Sequence, residues 1–366
     1  MAGLYIHIPF CKSRCIYCGF YSTTRHPLRQ RYVDALCREL ALRSDYLDEP
    51  IETVYLGGGT PSMLSSDQLE KLFQHIDTHT AREITIECNP DDVTPQLARL
   101  LSALPVNRVS MGAQTFNDER LRFIRRRHTS EQVFQAVENL RQAGIMNISL
   151  DLMYGFPNER LEDVDLDIDN LLKTNVKHIS CYSLMFEEDT PLYQLLQTGK
   201  IAETDEELSR QMYYRIVDRL TAAGYEHYEL SNFALPGFRS QHNSSYWHDV
   251  PYLGIGAAAH SYDRKSRQWN VADIERYIDA LEHDQLPFER ELLDDNTRYN
   301  ERVMTALRTS DGLPLDLLTT SQRHYLLQQA QRYLDNHLLT LADNRLRLTR
   351  KGLFVCDMIM TDLMSV

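Results

Sequence analysis

Hydrophobic patterning along the 366 residues predicts an α/β fold, a parallel sheet covered by helices and followed by a mainly helical C-terminal part. Three observations carry this. Up to Gly224, six short stretches of strand formers alternate with stretches of helical periodicity, the pattern of right-handed βαβ units. Four polar or glycine-rich segments stand just after strand ends, where ligands bind in barrels and open α/β sheets alike. Beyond Glu226 this alternation stops. The spacing fits an open six-stranded barrel and a Rossmann-type sheet equally well.

Taken in order, Gly3–Ile8 alternates as a strand, and Pro9 ends it ahead of a cysteine loop. Residues 28–44 carry Leu28, Tyr32, Leu36 and Leu40 at helical spacing. Residues 53–56 form a short buried strand before Gly57-Gly58-Gly59-Thr60-Pro61. Residues 66–79 are helical, 83–87 a third strand, and 94–104 a helix with Thr94 as N-cap and Pro95 in its first turn. Residues 108–112 are the fourth strand, and 130–143 a helix ended by Gly144. Residues 147–152 and 178–184 are the fifth and sixth strands, with a helix over 163–172 between them. The long helix at 205–223 is closed by Gly224.

Residues 229–247 read as a polar-aromatic loop, and 252–262 as a Gly/Ala-rich stretch. Helices are predicted at 272–283, 297–309 and 322–334. Two alternating strands, 337–341 and 345–349, flank Asp343-Asn344, and a final helix follows Gly352. Helices followed by such a hairpin resemble a winged helix. The pattern divides the chain into residues 1–228 and 229–366.

Hydrophobic content of 43% and charged content of 25% are those of an ordinary globular protein. A net charge of −13 argues against a general nucleic-acid binder, which carries a basic face. No stretch approaches the roughly 18 apolar residues of a membrane span, no signal peptide is evident, and the thiolates of Cys11, Cys15 and Cys18 need a reducing compartment, from which a cytoplasmic location is expected.

The informative stretch is Cys11-Lys12-Ser13-Arg14-Cys15-Ile16-Tyr17-Cys18, a C-x3-C-x2-C pattern. Three thiolates at this density suit an iron–sulfur cluster. Structural zinc sites close with four ligands, and an odd triplet cannot pair off as disulfides. Cys11, Cys15 and Cys18 are therefore the candidate metal ligands, in a reducing compartment. Cys37, Cys88, Cys181 and Cys356 lie in apolar surroundings and read as buried thiols.

This loop resembles the cluster loop of the radical S-adenosylmethionine (SAM) superfamily. Further motifs occur in order: Tyr5-x-His7-x-Pro9-Phe10-Cys11, Gly57–Pro61, Ile86-Glu87-Cys88-Asn89-Pro90, Gly112-Ala113-Gln114-Thr115-Phe116, Asp151–Gly155, and His242-Asn243-x-x-Tyr246-Trp247. Together they resemble the family of oxygen-independent coproporphyrinogen III oxidase and its relatives, the HemW-type haem chaperones. The resemblance implies an open six-stranded (β/α)6 partial TIM barrel with a winged-helix-like C-terminal domain. It implies a [4Fe–4S] cluster whose fourth iron binds SAM, and an electron donor. The implied SAM contacts are Tyr5, Tyr17, Gly58, Gly59, Thr60, Glu87, Gln114, Arg126 and Asp151. Glycines at 57–59 let a backbone approach a ligand without side-chain obstruction, though a tight turn needs them equally. Arg126 sits in a run, Arg125–His128, that reads as a whole as a solvated basic face.

Three functions compete. An enzyme would oxidatively decarboxylate coproporphyrinogen III in porphyrin biosynthesis. A chaperone would bind haem and pass it to acceptors such as membrane-associated respiratory enzymes. A regulator would bind DNA through the wing, which the charge disfavours. Two departures favour the chaperone. The oxidases have a fourth cysteine where this chain has Phe20, and an N-terminal segment before the first strand, which here begins at Gly3. His242, Tyr246 and Trp247 are candidate haem contacts, since histidine ligates haem iron and aromatic rings offer flat apolar faces. A structural aromatic loop is the competing reading. His260 is a second candidate ligand.

Overall fold

The computed structural model of the chain describes residues 1–365. The six parallel strands are Ala2–Ile8 (β1), Ile51–Gly58 (β2), Glu83–Cys88 (β3), Arg108–Gln114 (β4), Asn147–Tyr154 (β5) and His178–Ser183 (β6). Each pairs in parallel with the next. Their helices are Arg29–Leu42 (α1), Ser66–Gln74 (α2), Pro95–Ala103 (α3), Asp118–Phe123 (α4), Ser130–Gln142 (α5), Leu161–Lys173 (α6), Pro191–Gln197 (α7) and Glu206–Ala222 (α8). The Thr94 hydroxyl caps α3, accepting from Leu97 N–H at 3.2 Å. The short helices α4 and α7 were not evident in the sequence, because six or seven residues hold too few turns for a periodic signal.

From Glu226 the chain, read as a loop over 229–247 and as a Gly/Ala-rich stretch over 252–262, is ordered differently. It holds strands Glu226–Glu229 (β7) and Asn232–Ala234 (β8), helix Gln241–Trp247 (α9), and strands Tyr252–Ile255 (β9), His260–Tyr262 (β10) and Ser266–Asn270 (β11). Helix Ile274–Glu282 (α10) and strand Phe288–Leu292 (β12) follow. Strands of three to five residues are too short to show alternation and form only because longer strands offer them an edge. β8 adds antiparallel to β6, and β9 adds parallel to β1. One sheet of order β12-β11-β10-β9-β1-β2-β3-β4-β5-β6-β8-β7 results, open at its two ends. Strands on both sides of residue 228 belong to it.

The remaining elements are Asp295–Ala306 (α11), Leu313–Pro314 (β13), Thr320–Asp335 (α12), Leu339–Ala342 (β14), Arg345–Leu348 (β15), Arg350–Leu353 (α13) and Cys356–Leu363 (α14). The small antiparallel sheet β13-β15-β14 and these helices enclose a second apolar core around Tyr299, Val303, Leu326, Tyr333 and Ile359. The β14–β15 hairpin turns at Asp343 and Asn344, both at positive φ, as a tight hairpin requires.

Strand alternation decides what the barrel encloses. Leu4, Ile6 and Ile8, then Val54, Leu56, Ile84, Ile86, Val109, Met111, Ile148 and Leu150, pack outward into the main core beneath the helices. The opposite face carries Tyr5, His7, Thr53, Tyr55, Thr85, Glu87, Arg108, Ser110, Ser149, Asp151, His178 and Ser180. A closed barrel fills its centre with branched apolar residues. This interior is polar and aromatic, as a ligand-holding lumen is.

Candidate cluster and ligand site

After Pro9 the chain turns out over the C-terminal mouth of the strands. The cysteine loop is tied at its base, where Cys11 N–H donates to Thr23 O at 3.0 Å and Thr23 N–H to Pro9 O at 2.7 Å. In its middle, Ile16 is buried among Ile124, Met153, Phe156, Leu184 and Leu192. Burying such a side chain contributes about 1.5–3 kcal/mol. This apolar peg leaves Cys11, Cys15 and Cys18 half-buried on the same loop as unbridged thiols.

Burial raises the pKa of Cys11 and Cys18, and the neighbouring thiols raise both further. For Cys11 the Thr60 hydroxyl and the Arg126 guanidinium offset part of this. The Thr60 hydroxyl approaches Cys11 Sγ at 3.6 Å, and Arg126 Nη1 approaches Cys15 Sγ at 3.8 Å. Among the described residues, no three His, Cys, Asp or Glu side chains converge as the ligands of a single ion do. Three unbridged thiols on one loop, with donors beside Cys11 and Cys15, fit the ligand set of a cluster.

Below the loop, the mouth is lined by the remaining candidates. Glu87 accepts from Tyr55 OH at 2.7 Å and from Gly58 N–H at 3.1 Å. Burial pushes its pKa up to about 7, against the lowering effect of these hydrogen bonds. Tyr5 stacks on Tyr55, with ring centroids 6.2 Å apart, and its hydroxyl lies 3.0 Å from His7 Nδ1. Asp151 stands on β5 opposite Ser180, whose hydroxyl partly offsets the rise that burial causes in its pKa. Tyr17, half-buried beside Arg126 and Cys15, has its phenol pKa raised by burial.

Gln114 and Arg126 converge through a backbone irregularity. The β4–β5 register shifts between Gly112 and Gln114, and Gln114 adopts a φ of 65°. Arg126 Nη2 donates to Gly112 O at 2.5 Å. A Cβ at Gly112 would collide with the Gln114 amide and come within 2.8 Å of Arg126 Nη2. The basic run splits accordingly. Arg126 enters the site, Arg127 pairs with Asp91 at 2.9 Å, and His128 is buried against Ala113 O.

The glycine loop packs closely against β1. A Cβ at Gly58, where φ is 109°, would meet the His7 imidazole at 2.5 Å, and one at Gly59 would meet Pro9 at 2.7 Å. Their missing side chains admit β1 and its exit. The same loop places Thr60 over Cys11, and Asn89 Nδ2 holds the Thr60 hydroxyl at 3.2 Å.

His242 is not free to ligate iron in this structure. It is fully buried, its Nδ1 lies 2.9 Å from Thr53 Oγ1 and its Nε2 2.9 Å from Tyr246 OH. It stacks on Tyr55 with centroids 5.2 Å apart, and burial lowers its pKa to about 3. Glu83 accepts the backbone N–H groups of Gln241 and His242, so α9 plugs the N-terminal end of the barrel. Tyr246 and Trp247 instead face a cavity of about 340 Å³ with Arg267 and Arg302. Sequence reading missed His7, Tyr55 and Arg108 in the lumen. Their signal was the polar half of the strand alternation. Arg108 is 1% exposed, and its Nε and Nη1 have no partner among the described residues.

The family model for the radical SAM superfamily matches residues 5–171, and that for the HemN C-terminal domain matches 293–355. A heme chaperone HemW of Lactococcus lactis is 35% identical over 95% of this chain and 93% of its own. The chain belongs to the HemW family. Another member, from Bacillus subtilis, is 36% identical over 86% of this chain and 85% of its own, and one from Escherichia coli is 34% identical over 70% and 69%. The solved coproporphyrinogen III oxidase of Escherichia coli shares the fold, with a TM-score of 0.85 at 22% identity, over all of this chain and 90% of that one. Among the described residues of this family member, no helix is long and apolar enough to cross a membrane.

Proposed function

We propose that this protein is a haem chaperone that carries a [4Fe–4S] cluster and SAM and delivers haem to acceptor proteins. The observation that carries this reading is the resemblance to heme chaperones along 95% of the chain. Membership of the radical SAM superfamily implies the cluster and SAM. Phe20, 72% exposed, stands where the oxidases have a further cysteine, which favours the chaperone over the decarboxylase.

In this proposal Cys11, Cys15 and Cys18 hold the cluster, and Tyr5, Tyr17, Gly58, Gly59, Thr60, Glu87, Gln114, Arg126 and Asp151 surround SAM. When bound, the cluster supplies one electron to SAM. Arg126 steadies the thiolate of Cys15, and Thr60 that of Cys11. Glu87, held by Tyr55, offers acceptor oxygens to ammonium or hydroxyl groups at the mouth. Membrane-associated respiratory enzymes are the proposed acceptors, an electron donor the proposed partner, and the cytoplasm the proposed location.

One experiment tests the function. Protein reconstituted anaerobically is incubated with SAM and reductant, once with haem and once with coproporphyrinogen III. Stoichiometric haem binding without protoporphyrinogen is expected. Sustained decarboxylation would overturn the chaperone reading.

A further inference from the structure

The mouth of the barrel accounts for one face of the sheet. The antiparallel extension on its far side, β9 to β12, presents a second concave surface. A cleft of about 580 Å³ opens there between the β10–β11 pair and α10. Its size lies in the range of roughly 300–1,000 Å³ that holds cofactor-sized ligands.

The lining has the chemistry of a planar, anionic, metal-containing ligand. His260 and Trp269 are cross-strand partners, so both side chains project from the same face, with ring centroids 6.2 Å apart. His260 is exposed, and no hydrogen bond to its ring is made among the described residues. Partial burial and the nearby Arg267 lower its pKa, which favours the neutral imidazole with a lone pair to present. Leu286 and Pro287 add an apolar wall. Arg276 is exposed at one rim. Glu289, opposite Trp269 in the strand register, makes the other end anionic.

We infer that this cleft is the haem site, with His260 as axial ligand, Trp269 against the macrocycle, and the propionates directed to Arg276. The inference rests on the haem-binding reading above and names the site where that binding occurs. His242 is the weaker candidate, since Thr53 and Tyr246 occupy both its ring nitrogens. The cavity beside Trp247 has no histidine in its lining. An exposed cleft on a sheet extension also suits a cargo that must leave for an acceptor. Iron held at His260 is reached from solvent, without unfolding the barrel.

The test is titration of the reconstituted protein with haemin. Difference spectra against the same cluster-loaded protein without haemin isolate the Soret band. Wild type should show the band of a histidine-ligated haem. His260→Ala should shift that band and weaken binding about tenfold or more, and added imidazole should restore the histidine-type spectrum. Ala272→Trp, filling the cleft from an exposed position and leaving His260 intact, should also weaken binding. Iron content of the cluster and far-ultraviolet circular dichroism should be unchanged in both variants. An unaltered Soret band and affinity in His260→Ala would overturn the site and leave the chaperone reading standing. Unaltered affinity in Ala272→Trp would exclude the cleft. No haem binding by wild type would refute the functional reading, and the site with it.

Discussion

Glu87 places a carboxyl where burial opposes its charge, and replacing it by glutamine has a calculable consequence. Its pKa moves from the ordinary 4.5 to about 7. At about 1.36 kcal/mol for each pH unit, that difference is worth roughly 3 kcal/mol. The folded state binds this proton more tightly than the unfolded chain does. The associated stability is therefore fully present below pH 4.5 and lost as pH rises through about 7. Glu87→Gln is neutral throughout and removes this loss. It also weakens hydrogen bonds from Tyr55 and Gly58, at about 1 kcal/mol. The variant should thus be about 1 kcal/mol less stable than wild type at pH 4.5 and about 1–2 kcal/mol more stable at pH 8. Urea unfolding of the metal-free protein under reductant, between those pH values, measures the crossing. Parallel pH profiles for the two proteins would refute the placement of a buried, ionising carboxyl at this mouth. SAM affinity should fall in the same variant, so that stability and binding move in opposite directions at pH 8.

Other sites give sharper structural tests. Replacing Cys11, Cys15 and Cys18 together by alanine should reduce iron after anaerobic reconstitution from about four per chain to near zero, with the far-ultraviolet spectrum retained. Gly112→Ala forces the Gln114 amide and the Arg126 guanidinium apart and should weaken SAM binding by about tenfold, measured by calorimetry. Gly144→Ala meets nothing within 4 Å, and its positive φ should cost only about 1 kcal/mol, with SAM binding unchanged. His242→Phe leaves the Thr53 and Tyr246 hydroxyls unpartnered, and a loss of about 2–4 kcal/mol in urea unfolding is expected without loss of haem affinity in the folded protein.

Much of this molecule follows from local sequence. Six strands have period two, and the intervening helices have period 3.6 with recognisable caps, because those patterns depend only on neighbours along the chain. The same alternation separates Leu4, Ile6 and Ile8 from Tyr5 and His7, and so already declares a polar interior. The three cysteines announce their chemistry by spacing, for they sit on one loop of eight residues.

What only the tertiary structure decided lies in contacts between distant residues. Arg126 reaches Cys15 across 111 positions, and His242 meets Thr53 across 189. No periodicity encodes such meetings, so a histidine that reads as a ligand emerges as a sealed packing residue. Strands β8 to β12 exist because β1 and β6 would otherwise leave unpaired backbone groups at their edges, a requirement that arises only once the sheet has assembled. That extension brings His260 beside Trp269, with no hydrogen bond to its ring nitrogens among the described residues. The sequence by itself determined the chemistry available, since side-chain types and spacing are properties of the chain. Which groups remain unsatisfied, and therefore able to bind a ligand, was decided by burial and hydrogen bonding in the folded protein.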